Sequence, residues 1–284
     1  MIAVTGATGQ LGQKVMNQLL TTVPAEQLVA LVRSPDKAAD LAGRGVDVRK
    51  ADYDQPDTLT SALAGVDRLL LISGSEIGQR TRQHQAVIDA AKAQGVELLV
   101  YTSILSADKS PLKLAEEHRQ TEAALKASGV PHVILRNGWY TENYTMGLAG
   151  SLEQGAMAGA AGEGVFNAAT RQDYAEAAVA VLTREDNTSG TVYELAGTEG
   201  FTLAQFAQLG SELSGKPLTY QNMPEADFAG LLAQVGLPAE FAAILADSEA
   251  GAADGWLASE SKDLETLIGR PSTPLKTAIQ DALN

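Results

Sequence analysis

Three glycines set three residues apart, Gly6, Gly9 and Gly12, follow the apolar run Ile2 to Val4 and are joined by Leu11, Val15 and Leu19 at helical spacing. A strand, a glycine turn and a helix in that order let a backbone meet an anion. The helix N-terminus carries unsatisfied N–H groups and a partial positive charge, and residues without side chains admit a pyrophosphate at close range. The spacing here is G-x-x-G-x-x-G, whereas the general dinucleotide fingerprint is G-x-G-x-x-G. Glycines also punctuate ordinary turns, which is the plain alternative. The flanking strand and helix favour a nucleotide site.

The cation such a ligand needs stands at the end of the next strand. Gln27 to Arg33 reads as a second buried parallel strand, and Ser34-Pro35 behind it as a helix start. An NAD-type site offers a carboxylate to the ribose about 20 residues after the glycines; this chain has Arg33. A guanidinium suits a 2′-phosphate that a carboxylate repels, so the residue points to NADPH, with NADH bound more weakly. The alternative is a solvated arginine at a strand end. Asp52 and Tyr53 close a third strand, Val46 to Ala51, where they can meet an adenine, although a capping aspartate reads almost equally well. Ser73, Gly74 and Ser75 end the apolar fourth strand, small enough to let a cofactor pass.

The elements that carry these residues alternate as strand and helix. A helix from about Gln79 to Gln94, a strand from Val96 to Thr102 that ends at Ser103, a helix from about Leu112 to Ala127 and a strand from Pro131 to Leu135 continue the pattern. The fold class expected is α/β, a Rossmann-type doubly wound parallel sheet with a smaller, mainly helical C-terminal lobe. An NAD(P)-binding domain is expected over 1–136 and a substrate or lid lobe over 137–284, with 173–196 returning to the main sheet. The glycine- and alanine-rich stretch Gly150 to Gly164 reads as a loop able to cover the cofactor. From Thr202 the tail reads as mostly helix, with the substrate in a crevice between the lobes.

Composition excludes other classes. The chain of 284 residues has 45% hydrophobic and 20% charged residues, an ordinary globular balance. Its formal charge of −14 argues against general nucleic-acid binding. No apolar run approaches the roughly 18 residues that span a bilayer, and the N-terminus lacks the pattern of a signal peptide. With no cysteine, disulfides and thiolate chemistry are excluded and the cytoplasm is the default compartment. His84, His118 and His132 show no ligand spacing, so no metal site is expected. No G-x-S-x-G elbow marks an esterase. A monomer and a homodimer are equally compatible with the amphipathic helices.

At Thr5-Gly-Ala-Thr-Gly-Gln-Leu-Gly12, Arg33, Asp52-Tyr53 and Arg136-Asn-Gly-Trp-Tyr140, the chain resembles the NmrA-like group of atypical short-chain dehydrogenases. Within that group it is most similar to bacterial NAD(P)H:quinone oxidoreductases, with triphenylmethane reductases as near relatives, and the similarity spans essentially the whole chain. The resemblance implies pyrophosphate on Gly6, Ala7, Thr8, Gly9, Gln10 and Leu11 and the 2′-phosphate on Arg33. It implies nicotinamide-side contacts at Ser73 to Ser75 and at Asn137, Gly138, Trp139, Tyr140, Thr141, Glu142 and Asn143, and a polar contribution from Arg171.

Most short-chain dehydrogenases use a Tyr-x-x-x-Lys pair, in which lysine lowers the tyrosine pKa so that it passes a proton at neutral pH. None of the seven tyrosines here has lysine four positions on; Tyr101, Tyr140 and Tyr174 are followed by Leu105, Tyr144 and Ala178. What remains is hydride delivery to an acceptor that needs no placed proton donor, such as a quinone or a similar flat electrophile, without flavin or metal. His118 is a candidate proton donor, since Glu122 shares its helical stripe and would hold the imidazole and raise its pKa; a buried, merely satisfied histidine is the alternative. Tyr140 and Trp139 can stack on an aromatic acceptor, and Tyr140 is the second catalytic candidate. Two rival functions remain: a reductase of triphenylmethane-type dyes, and an NADP(H)-binding redox sensor of the NmrA kind.

Overall fold

Four short apolar runs become the middle of a sheet because each is buried on both faces. In the computed structural model, which describes residues 1–284, these are β1 (Ile2–Thr5), β2 (Leu28–Val32), β4 (Arg68–Leu71) and β5 (Leu98–Ile104). β3 (Asp47–Lys50), β6 (His132–Asn137) and β8 (Thr191–Leu195) complete a sheet of seven strands in the order β3-β2-β1-β4-β5-β6-β8. Pairing is parallel from β3 through β6. The chain builds outward from β1 to β3, then restarts on the other side of β1 with β4. Ligands of such sheets bind beyond the carboxyl ends of the strands where the order reverses, here β1 and β4. The architecture is a Rossmann-type α/β fold.

The crossover helices are α1 (Gln10–Leu19), α2 (Ala39–Gly43), α3 (Pro56–Ala62), α4 (Arg80–Gln94) and α5 (Lys113–Ser128). One face of the sheet carries Ala3, Leu31, Leu71, Tyr101 and Ile134 against Leu59, Val87, Ile88 and Leu125 of α3, α4 and α5. Side chains alternate along a strand, so Val4, Leu70 and Val100 point the other way. Against β4 and β5 lies α8 (Arg171–Thr183), paired with α1. Ser34-Pro35 opens a short 3-10 turn, Pro35–Ala38, before α2.

The chain forms two compact units. The first comprises Met1–Ala107, Glu117–Asn137 and Arg171–Tyr193, and the second Asp108–Glu116, Gly138–Thr170 and Glu194–Asn284. The second contains α6 (Glu142–Thr145), α7 (Leu148–Gln154), α9 (Leu203–Ser214), α10 (Glu225–Gln234), α11 (Ala239–Ala253), α12 (Asp263–Ile268) and α13 (Leu275–Leu283). A parallel pair, β7 (Ala156–Gly159) and β9 (Thr219–Asn222), runs among them. Its core includes the ring cluster Tyr144, Phe166, Phe201 and Phe206.

One expectation is corrected here. Gly150 to Gly164 is not a loop throughout, because α7 enters it and β7 follows. Leu148 and Leu152 lie one turn apart and are both buried, which is enough to commit α7, and Gly155 ends it in the left-handed conformation. The tail from Thr202 is mostly helix, as expected, with one strand, β9, that gains its ladder from β7, some 60 residues earlier in the chain. Gly159 is required where β7 ends, because a Cβ there would lie 2.6 Å from Glu249 Oε2. No helix is long and apolar enough to cross a membrane.

Candidate functional site

The three glycines of the first turn do three different jobs. Gly6 leaves β1 with φ +58 and open space where a side chain would be, a conformation that favours glycine. Gly9 donates its N–H to Gly6 O at 2.8 Å, and a Cβ on it would sit 3.2 Å from that same oxygen. Gly12 packs α1 onto the turn so closely that a Cβ would fall 2.2 Å from Gly6 O. Gly9 caps α1 in an extended conformation with no side-chain hydrogen bond, and the first turn carries no acidic residue. Gly6, Gly9 and Gln10 are exposed, Thr8 half-buried, and Ala7 and Leu11 turn inward to the core. The result is an open helix N-terminus with its partial positive charge unanswered by any side chain of its own turn.

Neighbouring strand ends hold the rest of this rim. Thr5 Oγ1 accepts the Ile72 N–H at 2.9 Å, joining the two strands where the order reverses. The Ser73 N–H goes to Thr102 Oγ1 at 2.9 Å, and the Gly74 N–H to His84 Nε2 at 2.9 Å, while Arg80 Nε donates to Gly74 O at 2.5 Å. Ser73 and Gly74 are half-buried and Ser75 is exposed. Tyr53 stands edge-on to His84, its hydroxyl 3.4 Å from Ile72 O, and burial pushes its pKa up to about 12. Asp52 folds on itself, with Oδ1 accepting the Asp54 N–H at 3.1 Å and Oδ2 the Gln55 amide at 3.0 Å. Asp52 thus closes its own turn and does not cap a helix, the alternative expected for it, since Gln55 stands at the N-cap of α3 with no side-chain cap bond. Arg33 extends from the end of β2 with its side chain 69% exposed, paired to Glu76 at 2.8 Å.

Farther along the sheet, the polar residues at the ends of β5 and β6 are buried. The imidazole of His84 has its tautomer fixed: Nε2 accepts from Gly74, so Nδ1 carries the proton toward Thr121 Oγ1 at 2.9 Å. Burial lowers its pKa to about 3, with Arg80 adding to the effect. Tyr101 OH and His118 Nδ1 are 2.7 Å apart. Burial raises the phenol's pKa and pulls that of His118 well below the usual imidazole range. Glu122 does not hold His118. Its carboxylate takes Arg136 Nε at 3.0 Å and Nη2 at 2.7 Å, and accepts Ser103 Oγ at 2.7 Å. The expected His118–Glu122 pair and its raised pKa are therefore corrected. A guanidinium in the adjacent strand offers the carboxylate a bidentate partner, and the desolvated imidazole is left neutral.

Asn137 ends β6 with its backbone carbonyl on the Leu105 N–H at 2.9 Å, while its side chain is buried and Oδ1 has no partner. A buried acceptor without a donor is costly, and a carboxamide N–H from a nicotinamide is the kind of donor it lacks. An uncapped glycine turn, the guanidinium of Arg33 at the end of β2 and this orphaned acceptor together fit a nicotinamide dinucleotide. Arg171 opens α8 and is half-buried.

In the second unit, Gly138, Trp139 and Thr141 are buried, Tyr140 and Glu142 half-buried and Asn143 exposed. The stretch is held straight by backbone bonds: Gly138 N–H to Leu195 O at 2.7 Å, Ala169 N–H to Trp139 O at 3.1 Å and Thr141 N–H to Ala169 O at 3.0 Å.

An NAD(P)H-binding family model matches residues 6–185. The chain belongs to that family. Within it, the chain is 54% identical over its full length to quinone oxidoreductase 2 of Escherichia coli K12, covering 99% of that protein. A crystal structure of an NADPH-dependent quinone oxidoreductase from E. coli in complex with NADPH superposes with a TM-score of 0.96, each chain covered completely. Triphenylmethane reductase of Citrobacter sp., solved with NADP(H), is 40% identical with a TM-score of 0.94, covering 99% of this chain and all of that one. The NmrA-like resemblance read from the motifs is thereby shown.

Sequence reasoning passed over Glu76, Gln83, Thr102 and the partnership of Glu122 with Arg136. A signal for the last was present: Arg136 is a full charge in the otherwise buried strand His132–Asn137, and such a charge requires a partner.

Proposed function

We propose that the protein is a cytoplasmic NADPH-dependent oxidoreductase that passes hydride to quinones or similar flat electrophiles, using neither flavin nor metal. The cofactor, when bound, supplies a hydride. Backbone N–H groups over Gly6 to Leu11 bind and orient its pyrophosphate, and Arg33 its 2′-phosphate. Asp52 and Tyr53 flank the adenine, Ser73 to Ser75 leave room for the backbone of the ligand, and Asn137 Oδ1 and Arg171 face its nicotinamide half. Gly138 to Asn143 are assigned to the nicotinamide side as well, with Tyr140 as the ring that meets the acceptor.

The observation that carries the choice of acceptor is the state of the buried acid–base groups. Tyr101 has no lysine beside it in sequence and its phenol is driven up by burial, while His118 is held neutral. Neither is tuned to deliver a proton at neutral pH, which a ketone requires and a quinone does not. A reduced quinone is a delocalised anion that takes its proton from water. His118 then serves to hold the Tyr101 hydroxyl within the buried framework. The 54% identity to an E. coli quinone oxidoreductase supports the same acceptor class.

Rapid mixing of the NADPH-loaded protein with a simple benzoquinone, without added flavin, tests the reading. Loss of the reduced-nicotinamide absorbance matched by equal loss of quinone is expected. Cofactor binding with no oxidation would overturn it in favour of a sensor, and oxidation by a triphenylmethane dye alone would move the acceptor class.

A further inference from the structure

We propose that Glu76 is a specificity-determining residue: it pairs with Arg33 in competition with the cofactor and so restrains the preference for a 2′-phosphorylated cofactor. The inference rests on the reading of Arg33 as the partner of that phosphate. Arg33 Nη1 lies 2.8 Å from Glu76 Oε1. An exposed pair alone would mean little, but this carboxylate is tethered. Its second oxygen accepts Gln83 Nε2 at 2.9 Å, and Gln83 is only 3% exposed, fixed on α4. The same Gln83 amide reaches Asp54 Oδ1 at 3.4 Å, and Asp54 is paired to Arg82 Nη2 at 2.5 Å. Glu76 and Asp54 are thus bridged by one buried amide beyond the ends of β2, β3 and β4, and each carries a guanidinium on its outer side, Arg33 and Arg82.

This arrangement treats the two cofactors differently. A phosphate dianion has to take Arg33 from Glu76, and because Gln83 keeps the carboxylate in place, the phosphate is then left near a like charge. A ribose hydroxyl displaces no ion pair and brings no charge toward Glu76. Glu76 therefore lowers the affinity for NADPH and leaves that for NADH nearly unchanged. This is specificity set by a repulsive element placed against the attractive one.

Cofactor affinities of Glu76→Gln, read from the fluorescence of the reduced nicotinamide with no acceptor present, test this. Glutamine removes the charge and keeps the side-chain length. The Kd for NADPH is expected to fall about fivefold, the scale of one exposed ion pair, and that for NADH to change less than about twofold. In an Arg33→Ala background the gain is expected to vanish, since the competition has lost its object. An NADPH affinity that is unchanged or weaker in Glu76→Gln, or an equal gain for both cofactors, overturns the proposal. If wild-type protein binds NADPH yet Glu76→Gln shows no gain, only this inference falls; if wild-type protein binds neither nucleotide, the functional reading falls with it.

Discussion

The rim around Gly6 to Gly12 and Arg33 and the polar cluster at the ends of β5 and β6 belong to the same sheet edge, yet they are built on opposite terms. In the rim, Gly6, Gly9 and Gln10 are exposed, the helix N-terminus has no side-chain cap, and Arg33 is held by a carboxylate that is itself half-exposed. In the cluster, Glu122 and Arg136 have side chains only 5% and 8% exposed and are locked to each other, while Tyr101 and His118 satisfy one another. Polar residues do chemistry where a partner is missing or exchangeable. Where each has a permanent partner and no water, they are framework. Asn137 lies on the border, its backbone fixed with β5 and its side-chain oxygen orphaned.

The sharpest way to break this contrast is in the cluster. Glu122→Ala strips Arg136 of its bidentate carboxylate in a buried site and is expected to cost about 3–5 kcal/mol of stability. Urea unfolding measures it; a loss below about 1 kcal/mol, the range of an exposed pair, would mean that water reaches the cluster.

The second unit offers a control, a buried carboxyl with no guanidinium. Glu249 accepts the backbone N–H of Ala160 at 2.8 Å, and desolvation pushes its pKa up to about 7. The folded state therefore binds a proton that the unfolded chain releases near its ordinary value of 4.5. Its contribution to stability is whole below that value and is lost as pH rises through about 7. Glu249→Gln keeps an acceptor for Ala160 and removes the charge. It is expected to match wild type at acid pH and to exceed it by about 3 kcal/mol on the alkaline side, at 1.36 kcal/mol per pKa unit. Unfolding midpoints across the pH range check it, and parallel profiles for the two proteins would refute the assignment.

In the rim, Gly12→Ala forces a methyl toward Gly6 O and is expected to cost about 1–3 kcal/mol as overpacking, together with most of the cofactor affinity. Calorimetric titration alongside thermal melting separates the two losses. Full affinity in a folded variant would show that the turn is not the pyrophosphate site.

Much of this contrast is legible in the sequence, but unevenly. The glycine turn and β1 to β6 announce themselves because they are local: short apolar runs, fixed spacings and breakers between them. Arg33 was equally plain, as a cation at a position where the cofactor logic leaves few alternatives. What pattern alone could not assign was the partner of each buried charge. Glu122 lies on the same helical stripe as His118, and that periodicity suggested the wrong pair; Arg136, 14 residues away in β6, reaches it only through the packing of α5 on the sheet. The β7–β9 ladder and the closeness of Gly159 to Glu249 are likewise products of contacts between segments far apart in the chain. Glu76 gave no signal because its role depends on a chain of four charges and one amide that only the fold assembles.

The account rests most on Arg33 as the reader of a 2′-phosphate, and comparative titration of Arg33→Asp with NADPH and NADH tests it most directly. Reversal of one charge at a phosphate contact is expected to weaken NADPH about a hundredfold and NADH less than about threefold. Equal losses for the two cofactors would contradict it.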